Sequence, residues 1–329
     1  MSSLPLSIAV GDYDHIRDLT SGKVRAEAIE LLPSHIPVEE IFFRFTKFHE
    51  WDMAEMSFAK SISILSRPDP WVALIPVFPS RAFRHSSIYI RADSGIKTPA
   101  DLAGKRVGVP EWAQTAAIYS RGMLSSEYGV DLRSIDWVQA GVNDPGRREK
   151  VSLQLPEGLR CTAQPEKSLS QMLASGELDA VLSARPPRAF SEHPDRIKRL
   201  FPQYREVEQA YWRKTGVFPI MHVIAIRREV YERNRWIATN LLQGFERAKE
   251  RSLERMADIT ASSVPLPWMS DYAAQSKEIM GKDFWPYGLE PNRVTLEAFT
   301  RYAWEQGITS RLMTPEELFV PETLQGVKV

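Results

Sequence analysis

Thr98-Pro99-Ala100-Asp101-Leu102-Ala103-Gly104-Lys105-Arg106-Val107-Gly108-Val109-Pro110 decides the fold class. Thr98 stands before a proline at a first helical position, so Thr98 to Leu102 reads as one capped turn. Lys105 to Val109 is a short β-prone run. Pro110-Glu111-Trp112-Ala113-Gln114-Thr115-Ala116-Ala117 then opens a helix that reaches Tyr128 and stops at Gly129. Turn, strand and helix in quick succession are one beat of an α/β alternation.

The alternation continues upstream. Leu6 to Val10 reads as a strand opening into the loop Gly11-Asp12-Tyr13-Asp14-His15. Ala28 to Leu32 is a second strand, and Pro37 to Phe48 carries a helical stripe of Ile41, Phe42, Phe45 and Phe48. Trp51 to Met56 is a short strand, with Ser57 placed to cap a helix bearing Ile62 and Leu65. Trp71 to Phe78 is nearly continuous in apolar residues, as a strand buried on both faces requires. Ser87 to Arg91 is another strand. Downstream, Ile135 to Gln139 and Leu178 to Leu182 are strands with a helix at Leu169 to Ala174 between them. Asn143 to Gln164 is polar and irregular, a loop with a short hairpin. After a strand at Phe218 to Ile226, helices follow at Trp236 to Met256, Asp271 to Met280 and Val294 to Gln306. The expected architecture is two α/β lobes with a helical C-terminal third.

Composition narrows the chemistry. The 329 residues hold 42 Lys plus Arg and 42 Asp plus Glu, so no net field favours nucleic acid. Cys161 stands alone, which rules out an intramolecular disulfide and an all-cysteine metal site. No run of ~18 apolar residues spans a membrane. Met1 to Val10 has no basic n-region or long apolar h-region, so the expected address is the cytoplasm. The six histidines (15, 35, 49, 85, 193, 222) form no metal-spaced motif. Nor is there a P-loop, a G-x-G-x-x-G or a G-x-S-x-G. No cofactor is expected, with a divalent metal held by scattered ligands left open.

Two stretches resemble type II periplasmic binding proteins. Pro99 to Pro110 looks like the start of that fold's second lobe, and Ser175-Gly176-Glu177-Leu178-Asp179-Ala180-Val181-Leu182 like the return toward its hinge. The resemblance implies a discontinuous first lobe, residues 1–92 and 220–329, a second lobe inserted at 93–219, and a ligand cleft between them. Gly11-Asp12-Tyr13-Asp14, Trp51-Asp52-Met53-Ala54-Glu55-Met56-Ser57 and Ile75-Pro76-Val77-Phe78-Pro79-Ser80-Arg81-Ala82-Phe83-Arg84-His85-Ser86 are more specific. Together they resemble the 4,5-dihydroxyphthalate decarboxylase family over most of residues 6 to 225. That family implies loss of one ring carboxylate to give a dihydroxybenzoate, without an organic cofactor.

The candidate residues follow. Arg81 and Arg84 suit an aromatic dicarboxylate, because arginine pairs carboxylates bidentately, unless they only snorkel from a solvated strand end. His85 beside them is the first candidate for the acid that protonates the ring carbon, or else a hydrogen-bonding group. Glu55 and Asp14 are rival bases for a ring hydroxyl. Tyr13 and His15 face the cleft in this architecture, and Ser57 lies at the helix start that favours an anion. Glu111 and Thr115 lie at the second lobe's helix start, where Trp112 would stack on the ring. Arg185 follows the returning strand with Ser183, while His222 sits on an apolar strand where a core role competes with substrate binding. The expected partner is a small aromatic carboxylate, and the expected assembly a homo-oligomer. The rival reading is a solute-binding protein presenting an aromatic anion to an ABC-type transporter. A synthase of the related thiamin branch is disfavoured, since one cysteine cannot supply the cysteine-rich stretch such enzymes use.

Overall fold

A computed structural model describes residues 3–151 and 153–324. The strands are β1 (Leu4–Ala9), β2 (Ile29–Ser34), β3 (Met53–Ser57), β4 (Val72–Ile75), β5 (Ile88–Arg91) and β6 (Arg106–Val109). They continue as β7 (Asp136–Gly141), β8 (Arg160–Ser168), β9 (Ala180–Leu182), β10 (Ile197–Arg199) and β11 (His222–Arg227). Helices α1 (Asp14–Thr20), α2 (Val38–Phe48), α3 (Phe58–Leu65), α4 (Thr115–Tyr128), α5 (Leu169–Ser175) and α6 (Arg188–Glu192) alternate with them. The remainder are α7 (Tyr204–Thr215), α8 (Arg228–Arg233), α9 (Ile237–Ala257), α10 (Met269–Met280) and α11 (Arg293–Glu305).

The chain forms two units. Unit 1 comprises Met1–Arg81, Ile220–Glu297 and Met313–Val329; unit 2 comprises Ala82–Pro219 and Ala298–Leu312. The second unit thus begins after Arg81, not after residue 92, because β5 pairs with β9 and β10 in the second sheet. The stretch 298–312, expected with the first lobe, belongs to unit 2.

In unit 1 the sheet order is β2-β1-β3-β11-β4. Strand β1 is parallel to β2 and β3, and β11 runs antiparallel between β3 and β4. Strand β4 is shorter than its apolar run, since Pro76 follows at once and a proline cannot donate to a ladder. Helix α9 packs along α1, where Gly244 lets the backbone approach Leu19 and Ala26: a Cβ there would sit 3.1 and 3.2 Å from their side chains. Asp18, buried on α1, accepts from Arg251 (2.6 Å) and Arg255 (2.7 Å) of α9.

In unit 2 the order is β10-β5-β9-β6-β7-β8. The loop-and-hairpin expectation for 143–164 fails at its end. Residues from Arg160 form β8, parallel to β7 and at the sheet edge. Its polar sequence and Pro165 suit an edge strand, which is why periodicity concealed it. Helix α4 begins at Thr115, five residues later than Pro110, and ends at Gly129 with φ +67. Residues 298–312 complete this core: Tyr119 stacks on Phe299 with ring centroids 4.5 Å apart. Among the described residues, no helix is long and apolar enough to cross a membrane.

Candidate active site

The parallel strands of unit 1 deliver their carboxyl ends to one sheet edge, where ligands of open α/β sheets gather. Because β11 is antiparallel to β3, its first residue arrives at that same edge. Pairing sets Ser57 opposite His222 and Glu55 opposite Ile224. With alternation along each strand, Glu55 and His222 share a face as diagonal neighbours, within reach of long side chains. The Glu55 side chain is fully buried and meets His222 Nδ1 at 2.5 Å. It also accepts from the Gly11 N–H (2.9 Å) and the Tyr13 hydroxyl (2.7 Å). Three partners offset the cost of burying a carboxylate, which alone would be several kcal/mol or more.

The loop after β1 is shaped for this. A Cβ on Gly11 would lie 2.7 Å from the Tyr13 ring, so only glycine lets the phenol fold back over its own backbone. Burial, then the Glu55 charge, raises the Tyr13 phenol far above its ordinary value, while a Ser80 hydrogen bond works the other way. Next along the chain, His15 lies between Tyr13 (ring centroids 5.4 Å) and Trp285 (5.3 Å). Burial drives its pKa down to about 4, opposed by a hydrogen bond to the Pro79 backbone.

Beyond β4, Arg81 is buried and donates to Asn292 Oδ1 (2.8 Å) and Pro286 O (3.1 Å). It also pairs across an isolated bridge with Ile220. The segment 285–292 covers this edge: the Gly288 N–H reaches Pro76 O at 2.8 Å and Trp285 Nε1 reaches Phe78 O at 3.1 Å. Tyr287 is buried within it, its phenol raised by burial and by Glu246, Asp283 and Glu55, and lowered by Arg81. Lys249, almost wholly enclosed on α9, pairs with Asp283 (2.6 Å) and Glu246 (2.7 Å). Sequence reasoning missed Ser80, Trp285, Tyr287 and Asn292. Ser80 lay within the Ile75–Ser86 stretch, and for the others the Trp285-Pro286-Tyr287-Gly288 break between two helical stripes was the signal.

The edge therefore gathers Tyr13, His15, Glu55, Ser57, Arg81 and His222, all in unit 1. Ser57 holds the N-cap position of α3, yet its side chain makes no capping bond, contrary to expectation. Asp14 goes elsewhere. It accepts from Ser252 (2.6 Å) and Arg255 (2.9 Å), and pairs with Arg17 (3.3 Å). Burial alone would raise this carboxyl, but Ser252 and the arginines outweigh burial and hold it below the usual range. It ties α1 to α9.

Arg84 and His85 lie in unit 2, whereas Arg81 belongs to unit 1. His85 is fully enclosed by the edges of Tyr128, Phe201 and Tyr211, at centroid distances of 6.1, 5.1 and 5.2 Å. Neither ring nitrogen has a hydrogen-bond partner, and burial lowers its pKa to about 4. That setting does not suit an acid that must hold a proton near neutrality. Half-buried Arg84 is lowered to about 10 by burial, with Glu208 the opposing charge.

Trp112 corrects another expectation. It is fully buried, its indole N–H donates to Gln306 O (2.8 Å), and the Arg121 guanidinium lies 3.6 Å from the ring centroid. Its face is taken by the protein itself, so it is core and no stacking platform. Glu111 pairs with Arg147 (2.7 Å) and Lys150 (3.4 Å). The backbone N–H groups of Trp112 and Ala113 donate to Glu149 at 2.6 and 3.2 Å. Thr115 is buried at the first position of α4, and Arg185 is exposed. Among the described residues, no group of three or more His, Cys, Asp or Glu is placed to hold a metal ion.

Residues 78–146 match the family described as NMT1/THI5 like. The chain is 40% identical to the 4,5-dihydroxyphthalate decarboxylase of Comamonas testosteroni over 331 aligned positions, covering 100% of both chains. It is 43% identical over 203 residues to the 4,5-dihydroxyphthalate decarboxylase of Pseudomonas putida, covering 61% of this chain and 78% of that one. In fold it resembles the periplasmic aliphatic sulphonate binding protein SsuA of Escherichia coli, with a TM-score of 0.56 and 13% identity. That alignment covers 98% of this chain and 99% of the other, and it establishes the periplasmic-binding-protein-like fold.

Proposed function

The chain belongs to the 4,5-dihydroxyphthalate decarboxylase family, and from that premise we propose that it is a carboxy-lyase that removes one carboxylate from a 4,5-dihydroxyphthalate-like ring, giving a protocatechuate-like dihydroxybenzoate and carbon dioxide. The observation that carries the reading onto this chain's own atoms is the buried Glu55–His222 pair at the carboxyl edge of the unit 1 sheet.

The reaction exchanges carbon dioxide for a proton at one ring carbon. That carbon becomes nucleophilic when a para hydroxyl feeds electron density into the ring. Protonation there interrupts aromaticity, and breaking the bond to the carboxylate restores it. The electrons of that bond return to the ring, so the ring is its own electron sink and the step needs no organic cofactor. The protein must supply a positioned acid, a seat for the carboxylate that stays, and an acceptor for the hydroxyl.

We assign the acid to His222, with Nδ1 held by Glu55 and Nε2 the nitrogen left to exchange a proton with a ligand. A carboxylate behind the imidazole fixes its tautomer and orients the ring, the general logic of an acid–base pair. The role thus moves from His85 to His222. The Tyr13 hydroxyl donates to the Glu55 oxygen that meets His222, the Gly11 N–H holds the other oxygen, and buried Arg81 supplies positive charge for the remaining carboxylate. The test is direct. Purified protein incubated with 4,5-dihydroxyphthalate in deuterium oxide should release carbon dioxide and leave one deuterium at the vacated carbon. Tight binding without carbon dioxide release would return the chain to the solute-binding reading.

A further inference from the structure

His15 has a feature that the proposed chemistry leaves unused. Its Nε2 is buried and has no hydrogen-bond partner. The ring is hydrogen-bonded to the backbone of Pro79, and a proline has no backbone N–H, so the imidazole must donate to the Pro79 carbonyl. With Nε2 unpartnered, the donor is Nδ1–H. Burial keeps the ring neutral near pH 7, so Nε2 presents a lone pair in a fixed direction, flanked by the rings of Tyr13 and Trp285. Buried polar atoms are nearly always paired, and leaving one unmade costs roughly 1–3 kcal/mol. An acceptor locked by its own tautomer, two residues from the phenol that holds Glu55, is a site for a donor brought by the ligand.

We propose that His15 is a specificity-determining residue whose Nε2 accepts a hydrogen bond from a ring hydroxyl of the substrate. The inference rests on the decarboxylase reading. The hydroxyl para to the departing carboxylate becomes more acidic as the ring carbon is protonated. A hydrogen bond to Nε2 therefore strengthens toward the transition state, which makes it catalytic as well as selective. No proton needs to leave the oxygen, so a weakly basic imidazole suffices.

The experiment compares 4,5-dihydroxyphthalate with phthalate and with 4,5-dimethoxyphthalate, neither of which can donate. For wild type, steady-state kinetics should show a KM for the dihydroxy compound at least ~10²-fold below the inhibition constants of the other two, the discrimination expected of a site built to pair a hydroxyl. His15→Phe should raise the KM of the dihydroxy compound by ~10-fold or more while leaving the phthalate inhibition constant within ~3-fold, so the ratio collapses. His15→Gln, which retains an acceptor, should recover part of the ratio, and thermal melts should show both variants folded. An unchanged ratio in His15→Phe, or equal weakening of all three compounds, would overturn the assignment and leave His15 a packing group. If wild type releases no carbon dioxide, the decarboxylase reading fails first. An active wild type with an unchanged ratio sinks the His15 inference alone.

Discussion

Glu55 holds three partners with two oxygens, and one of them is an imidazole at 2.5 Å. Residues that act as a unit lose function non-additively. Glu55→Gln and His222→Gln are each expected to lower kcat by ~10²–10⁴-fold, the span general acids supply. The double variant should be little worse than the weaker single, as a carbon dioxide assay would show. Independent, multiplying losses would separate the two residues. His85 makes a different prediction. Its folded pKa of about 4 lies below the ordinary value of ~6.5, so the unfolded chain binds the proton at higher pH. The stabilisation from keeping this ring neutral is full above pH ~6.5 and is lost as pH falls through that value toward about 4. His15 adds to the same window. His85→Phe should therefore reduce the drop in urea midpoint between pH 7 and pH 5, at little cost to catalysis. A drop of wild-type size would show that the ring is not kept neutral.

At the scale of elements, α1 is pinned to α9 by the carboxylates of Asp14 and Asp18 against Arg251 and Arg255. Both carboxyls are held low in the fold: burial raises them, and the arginines and, for Asp14, Ser252 overcome it. A lowered carboxyl gives stability that is present above the unfolded pKa of ~3.9 and is lost as pH falls below it. Asp18→Asn should cost about 1.5–3 kcal/mol, the usual worth of hydrogen bonds to a charged group, measured by urea unfolding at pH 7. The same variant should change the pH 3 midpoint much less. The turn before α4 offers a sharper discriminator. Trp112 fills the unit 2 core with Arg121 over its face, so Trp112→Ala should destabilise by about 3–5 kcal/mol. The KM of whatever protein remains folded should be unchanged, whereas a stacking role would raise KM instead.

The whole molecule is cut discontinuously, and the cut has a consequence for folding. Unit 2 draws Phe299, Tyr302 and Gln306 from a stretch nearly eighty residues beyond Pro219. Gln306 accepts from Arg121 Nε at 2.8 Å and donates to Ile118 O at 3.0 Å, and the Tyr302 ring occupies the space where a Gly122 Cβ would sit, 2.3 Å away. A fragment of residues 82–219 alone should lack a cooperative thermal transition, and one joined to 298–312 through a flexible linker should recover it. The proposed chemistry, in which the ring itself takes up the electrons, also predicts turnover that survives exhaustive chelation. Loss restored by one divalent ion would replace that mechanism.

The α/β alternation, most strand and helix positions and the family were legible in the sequence, because periodicity and turn chemistry are local. Glu55, Tyr13 and the basic block were visible as residue types. Their partners were not. His222 lies 167 positions from Glu55, and only the antiparallel insertion of β11 beside β3 makes them diagonal neighbours. Trp285, Tyr287 and Asn292 come from a loop whose local pattern shows only a break between helices. Arg81, Arg84 and His85 are near neighbours in sequence, yet the chain changes unit between Arg81 and Ala82. Local sequence determined which elements form and what chemistry each can carry. Sheet order and register, set by burial of the whole core, decided which of those groups meet.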